Sequence, residues 1–148
     1  MDIANATAVA TSAVAILVAL ITWREWSTNR ARLRHELFDR RYKVFEKIGA
    51  FLSRVLQEGR VPEGEPEQFL RETKTAYFVF GSDPTVKAFI EEIFRHAAQL
   101  HALEATLETL RDEERTVNIE KQGEIKDWFM RELHGLERRF DRYLSLRH

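Results

Sequence analysis

The chain has 148 residues, 23 Lys+Arg against 24 Asp+Glu for a formal net charge of −1, and no cysteine. This length suits one domain with a short additional segment, and the balanced charge argues against a protein built to hold nucleic acid. The lack of cysteine excludes disulfides, thiolate metal sites and cysteine nucleophiles. With 3 prolines and 6 glycines, the composition favours long helices.

The N-terminal segment predicts a transmembrane anchor. From Ile3 to Trp23 the sequence holds 21 residues without charge, glycine or proline, and a helix of about 20 residues spans a ~30 Å hydrocarbon core. The alternatives are a cleaved signal peptide and a buried soluble helix. A signal peptide is disfavoured because the first two residues supply no basic side chain and no small-residue cleavage site follows the apolar run. We therefore assign residues 1–26 to a transmembrane anchor with its interface and residues 27–148 to a cytoplasmic helical body.

The flanks of the anchor predict its orientation. Asp2 is the only charged residue before the apolar run, whereas several arginines follow it closely. The positive-inside bias then places the N-terminus outside and the body in the cytoplasm. Tryptophan and arginine at this boundary are expected at headgroup depth, in contact with membrane lipid. The residues assigned to the membrane interface are Trp23, Arg24, Trp26, Arg30, Arg32 and Arg34.

A stripe of small residues follows one face of the anchor. Ala8, Ser12, Ala15 and Ala19 recur at spacings of three and four. Small residues allow helix backbones to approach closely in lipid, so the stripe predicts self-association of anchors. The alternative is that an alanine-rich helix produces such a stripe through its composition alone.

The first helix is expected to continue from the anchor to about Glu58. Ser27, Thr28 and Asn29 are poor interior helix residues, and the alternative is that they cap a new helix. The segment GRVPEGEPE that follows predicts a turn, because its prolines and glycines disfavour a helix.

Three further helices are predicted in chain order. A shorter one covers residues 66–80 and ends at a glycine. Asp83 has the position of an N-cap, with Pro84 first in the next helix, whose apolar residues follow a heptad series as far as Leu110. The last helix is expected over residues 117–146, after the polar linker RDEERTVN and antiparallel to its predecessor. The predicted fold class is all-α, with one N-terminal transmembrane helix continuous with the first helix of an antiparallel bundle of about four helices.

Apolar positions three and four residues apart predict the core of this bundle. The heptad series of the third helix could serve that internal core or pair with another subunit, and the internal use is the default in a body of four helices. The predicted core residues are Phe38, Phe45, Ile48, Leu52, Phe89, Ile93, His96, Leu100, Leu103, Leu107, Trp128, Phe129, Leu136 and Phe140.

Glu92 and His96 are the candidates for a metal site, because residues four apart share one helix face. The acidic and histidine residues of the other helices form no Glu-x-x-His motif, so a histidine satisfied within the core is the preferred interpretation. The sequence contains no nucleophile elbow, phosphate loop or dinucleotide fingerprint. We therefore predict no enzymatic activity and no cofactor.

The stretch HELFDRRYKVFEKIGAFL, together with TAYFVF and the final WF…F…YLSL, resembles a group of small bacterial proteins in which an N-terminal anchor or short leader precedes a helical body. The resemblance covers most of residues 35–146. It implies a bacterial origin, hence the inner membrane as the location, and it implies no assigned activity or functional residues. Arg40 and Arg41 of this stretch could bridge to acids of a neighbouring helix or face water.

The sequence thus predicts a non-enzymatic, single-pass membrane protein whose cytoplasmic bundle serves as an interaction or assembly module. The expected partners are membrane lipid and either a second copy of the chain or another membrane protein, with no nucleic acid. One alternative is a membrane-acting stress or defence effector whose anchors cluster. Another is a metal- or cofactor-binding bundle built around His96.

Overall fold

The structure is a computed structural model that describes residues 3–81 and 83–145, and within the first helix it describes no side chain of residues 3–13 or of residue 31. The described residues contain no β-strand, which confirms the all-α prediction. They form five helices: α1 (Ile3–Glu58), α2 (Glu65–Thr73), α3 (Ala76–Val79), α4 (Pro84–Thr106) and α5 (Asp112–Leu144).

Contacts divide the chain into two compact units, Met1–Leu37 and Phe38–His148, and α1 contributes residues to both. In the part of the chain that the structure describes, no helix combines the length and the apolar character that crossing a bilayer requires. The anchor predicted over residues 1–26 falls partly outside that part. The side chains of Ala8 and Ser12, two members of the predicted stripe, also lie outside it.

Helix α1 passes without interruption through the three polar residues that were considered as a cap. Thr28 turns its hydroxyl back to the Arg24 carbonyl at 2.9 Å, and Thr22 does the same to Val18 at 2.9 Å. A threonine that bonds to the carbonyl four residues earlier satisfies its own hydroxyl inside a helix. The prediction of one continuous helix to Glu58 is confirmed.

In the second unit, α2 and α3 run antiparallel to α1. Gly59 (φ 67°) and Gly64 (φ 79°) take left-handed conformations in the turn, which glycine adopts without steric cost. With increasing distance from that turn, earlier residues of α1 contact later residues of α2 and α3. The pairs are Arg54–Glu65 (2.7 Å), ring-stacked Phe51–Phe69 (4.5 Å between centroids), Lys47–Glu72 (3.0 Å) and Arg41–Val79 (2.8 Å).

The prediction of a single helix over residues 66–80 is wrong, because the chain turns between α2 and α3. Thr73 is buried and donates its hydroxyl to the Phe69 carbonyl at 2.8 Å, a back-bond that bends helices. After the break, Ala76 and Val79 both face the core. Gly81 (φ 64°) follows, as predicted for the glycine that ends this segment.

Helix α4 begins as predicted, with Asp83 accepting from the Thr85 backbone N–H at 2.8 Å and proline at the first position. Its core face departs from the predicted heptad. The buried residues are Val86, Phe89, Ile90, Ile93, Ala97 and Leu100. The second core row therefore passes through the small Ala97 rather than through His96, which lies half-buried beside it. The helix ends at Thr106, so the predicted heptad positions Leu107 and Leu110 lie beyond it.

Helix α5 starts at Asp112, five residues earlier than predicted, and RDEERTVN is mostly its first two turns rather than a linker. Three acidic residues, Asp112, Glu113 and Glu114, occupy the first turn. Negative side chains there interact favourably with the partial positive charge of a helix N-terminus. Contacts pair the start of α4 with the end of α5, such as Asp83 with Arg142, so the two helices are antiparallel as predicted.

The core lies within the second unit. Of the predicted core residues, the structure buries Ile48, Leu52, Phe89, Ile93, Leu100, Phe129, Leu136 and Phe140, and it leaves Phe38, Phe45, His96, Leu103, Leu107 and Trp128 half-buried. The Leu136 side chain of α5 packs over Gly49 of α1, where an added Cβ would lie 3.4 Å from a Leu136 methyl. The residue before this contact, Ile48, is completely buried.

Candidate functional sites

Within the first unit, the part of α1 from Val14 to Trp23 presents apolar side chains on every side. Large hydrophobic residues between Val14 and Trp26 are 51–66% exposed. Consecutive positions such as Ile16, Leu17 and Val18 point in different directions around a helix, so this apolar surface encircles the segment. A helix that is hydrophobic all round is normally buried in protein or in a membrane.

The six predicted interface residues lie along the same helix and are all exposed. The guanidinium of Arg30 stacks over the indole of Trp26, 4.4 Å from the ring centroid. Such a cation–π pair is worth about 0.5–1 kcal/mol at an exposed site. The two predicted stripe residues whose side chains are described, Ala15 and Ala19, are also exposed.

Glu92 and His96 do not converge on further metal ligands. His96 Nδ1 lies 3.0 Å from the Glu92 backbone carbonyl, and the imidazole stacks on Trp128 with centroids 4.0 Å apart and ring planes within 5°. The Glu92 carboxylate lies 3.7 Å from the Arg95 guanidinium. Within residues 3–81 and 83–145, no three His, Cys, Asp or Glu side chains cluster closely enough to hold a metal ion.

A polar network joins the start of α4 to the end of α5. The carboxylate of Asp83 accepts from the Tyr143 hydroxyl at 2.5 Å, from the Thr85 hydroxyl at 2.7 Å and from Arg142 at 3.0 Å. Hydrogen bonds from Tyr143 and then from Thr85 lower the pKa of Asp83 from 3.8 to about 2. Arg142 also contacts the Tyr143 hydroxyl. Sequence reasoning found Asp83 as an N-cap and missed the residues of α5.

At the same end of the body, Arg41 of α1 binds both α3 and α5. Its Nε donates to the Val79 carbonyl at 2.8 Å and its Nη1 to the Tyr143 carbonyl at 3.3 Å. The guanidinium therefore binds backbone carbonyls, which differs from both alternatives drawn from the sequence. These carbonyls belong to the last residues of α3 and α5, where helices lack intrahelical donors. Arg41 thus caps two helices from a third.

At the other end of the body, two side chains of α4 bind the backbone N–H and the backbone carbonyl of Val61. Glu104 accepts from the Val61 N–H at 3.1 Å, and His101 Nδ1 contacts the Val61 carbonyl at 2.9 Å. The second Glu104 carboxylate oxygen is buried, with no protein partner in the described residues. These side chains fix the turn that follows α1.

Asn118 and Gln122 form a buried polar pair on α5 that the sequence analysis missed. Asn118 Nδ2 donates to the Leu103 carbonyl at 3.0 Å, and Gln122 Nε2 donates to the Asn118 side-chain oxygen at 2.8 Å. Leu103 lies in the last turn of α4, so Asn118 satisfies a carbonyl at a helix end. The signal was present in their spacing, because residues 118 and 122 continue the row of Ile125 and Phe129 at intervals of four and three.

No known protein family, no curated protein and no solved structure matches the chain.

Proposed function

We propose that this chain is a non-enzymatic, single-pass membrane protein whose helical body is an assembly module at the inner membrane. The observation that carries the proposal is the apolar surface encircling α1 between Val14 and Trp26, where large hydrophobic side chains are 51–66% exposed. A surface of this kind marks a protein or membrane interaction site. The sequence extends the uncharged run back to Ile3, which gives about the length that a bilayer requires.

The charges beside this surface support its orientation. Residues 24–43 carry seven basic side chains against three acidic ones. Basic residues close to an apolar span favour the cytoplasmic side, and each attracts anionic lipid by about 1 kcal/mol near the surface. The proposed topology therefore has the N-terminus outside and the second unit in the cytoplasm.

The polar groups of the second unit support a structural rather than a catalytic use. Asp83, Arg41 and Glu104 each bond to the backbone or side chains of neighbouring elements. His96 stacks on Trp128 and bonds within its own helix. A body whose polar side chains hold its own elements together is suited to presenting a stable surface to a partner.

Membrane insertion is tested on the full chain by carbonate extraction of bacterial membranes. Leu17→Arg with Leu20→Arg adds two charges to the apolar surface, at about 2.5–3.5 kcal/mol each near the centre of a span, and we expect this variant to move to the soluble fraction. The matched control is Val117→Arg with Ile119→Arg, which changes two exposed apolar residues of α5 and should leave the chain in the membrane. Equal extraction of both variants would contradict the proposed anchor.

The assembly role is tested by purification from membranes in mild detergent, where we expect a stoichiometric complex with a second copy or a membrane protein. A monomer that binds no protein would contradict the assembly role. Growth arrest on expression that is lost on deleting residues 1–23 would favour the effector alternative. Metal at one equivalent per chain would favour the cofactor-binding alternative.

A further inference from the structure

One face of α1 in the first unit repeats with the spacing of a coiled coil. Trp23, Trp26, Leu33 and Leu37 are separated by three, seven and four residues. This spacing places residues 23 and 37 at heptad position a, and residues 26 and 33 at position d. All four side chains remain uncovered, at 66%, 55%, 59% and 42% exposed. We call these four residues the α1 seam.

The charged residues around the C-terminal half of the α1 seam argue against lipid as the surface that covers it. Arg32, Arg34 and Glu36 lie at positions c, e and g of this stretch, so the faces of the helix beside the seam carry charge. Charged side chains are costly inside a bilayer, which keeps residues 30–37 out of the hydrocarbon. Leu33 and Leu37 therefore need a protein surface to exclude water from them.

We propose that the α1 seam is covered by the α1 seam of a second copy of this chain, in a parallel two-stranded coiled coil. A heptad seam is self-complementary, because a two-fold axis parallel to the helices brings each a or d residue against the same residue of the partner copy. The proposal rests on the proposed function in one respect. Anchors in the same membrane give both copies one orientation and raise their effective concentration, which a seam of about two heptads requires.

Arg30 occupies the remaining a position of the seam. Its guanidinium already stacks over the Trp26 indole. In the paired helices, this stacking can hold the charged group away from the centre of the interface. A single polar residue at an a position lowers the stability of a coiled coil while specifying the number of strands. Replacing Arg30 with leucine should therefore strengthen the pairing.

The test uses the absence of cysteine from the chain, which allows single cysteines to be placed on the full-length protein in native membranes. Leu33→Cys and Leu37→Cys lie on the seam. Arg32→Cys and His35→Cys lie on the same stretch at the outer positions c and f, and both residues are exposed. After mild oxidation, the disulfide-linked dimer is measured on a non-reducing gel.

We expect about fivefold or more cross-linked dimer at the seam positions than at the outer ones, because a disulfide requires Cα atoms within ~7 Å. Adding Arg30→Leu should raise the seam yield further. Equal yields at all four positions, or cross-linking only to a protein of another mass, would overturn the proposal. Carbonate extraction of the same samples separates the two proposals: chains that stay in the membrane but cross-link evenly refute the seam alone, whereas extracted chains refute the anchor.

Discussion

Phe140 is the residue whose truncation should affect the body most. Its side chain is 0% exposed, and its ring meets four others. The centroid distances are 5.8 Å to Phe45, 5.6 Å to Phe80, 6.4 Å to Phe89 and 6.1 Å to Tyr143. The ring therefore joins α1, the end of α3, α4 and its own helix. Phe140→Ala removes a single side chain that all these elements share.

The expected loss follows from burial and from these ring contacts. A buried Phe→Ala change costs about 3–5 kcal/mol through lost transfer energy and the cavity left behind, and an aromatic pair adds about 0.5–1.5 kcal/mol beyond its buried area. With four ring neighbours, Phe140→Ala should lie at the upper end, about 4–5 kcal/mol. This is a large share of the ~5–15 kcal/mol that stabilises a typical domain.

The assay is urea unfolding in mild detergent, followed by the fluorescence of Trp128. Trp23→Phe and Trp26→Phe are introduced in every variant so that the signal reports the second unit alone. The matched control is Phe78→Ala, which makes the same chemical change at a ring that is 75% exposed and should alter the free energy of unfolding by less than about 0.5 kcal/mol. A loss below about 2 kcal/mol for Phe140→Ala, or equal losses for both variants, would refute this reasoning.

Two further predictions concern charge and backbone conformation. Because hydrogen bonds lower the pKa of Asp83 from 3.8 to about 2, its ionised form stabilises the folded state above about pH 4, and this contribution is lost as the pH falls from about 4 towards 2. Asp83→Asn should flatten the fall of the urea midpoint in that window, and an unchanged pH profile would count against the network. Gly123→Ala should stabilise the body by about 0.5–1 kcal/mol, because a helix interior favours alanine and the added methyl group meets nothing within 4 Å. Gly81→Ala should destabilise it by about 1 kcal/mol, because φ there is 64°; thermal unfolding shifts of the same sign in both variants would contradict this.

Boundaries set by local chemistry were predictable from the sequence. The proline after Asp83 and the aspartate itself specify a helix start, and the structure shows the hydrogen bond from Thr85 that this predicts. Gly59 and Gly81 end their segments with positive φ, as a left-handed residue after a helix does. Each of these predictions depends on a few neighbouring residues and on no tertiary contact.

Predictions that depend on tertiary contacts were less complete. The register of α4 was assigned from a strict seven-residue spacing, which selected His96 and overlooked Ala97. In the structure Ala97 is completely buried, while the flanking His96 packs on Trp128. Where helices approach closely a small residue fits the core better than a large one, and the closeness of approach cannot be read from one helix alone.

Buried polar residues were missed for a related reason. Asn118 lies on the same helix face as the apolar row of α5, but a pattern that counts only apolar residues does not include an asparagine. Its burial is stable because Leu103 offers a carbonyl at the end of α4, and polar groups are buried where such a partner exists. The spacing along α5 places Asn118 in the buried row, but the carbonyl that it binds lies on another helix and cannot be identified from α5 alone.

The contact between Arg41 and Tyr143 also has a consequence for biosynthesis. The donor and the acceptor are separated by 102 residues, and a chain leaves the ribosome with its N-terminal part first. The hairpin of α1 with α2 and α3 can form early, because its contacts are closer in sequence, but the carbonyls that Arg41 binds are not all present until α5 has been translated. During that interval the apolar face of α1 lacks the cover that Phe140 and Leu136 later provide. Nascent chains of this protein should therefore expose a hydrophobic surface to chaperones until the last helix emerges.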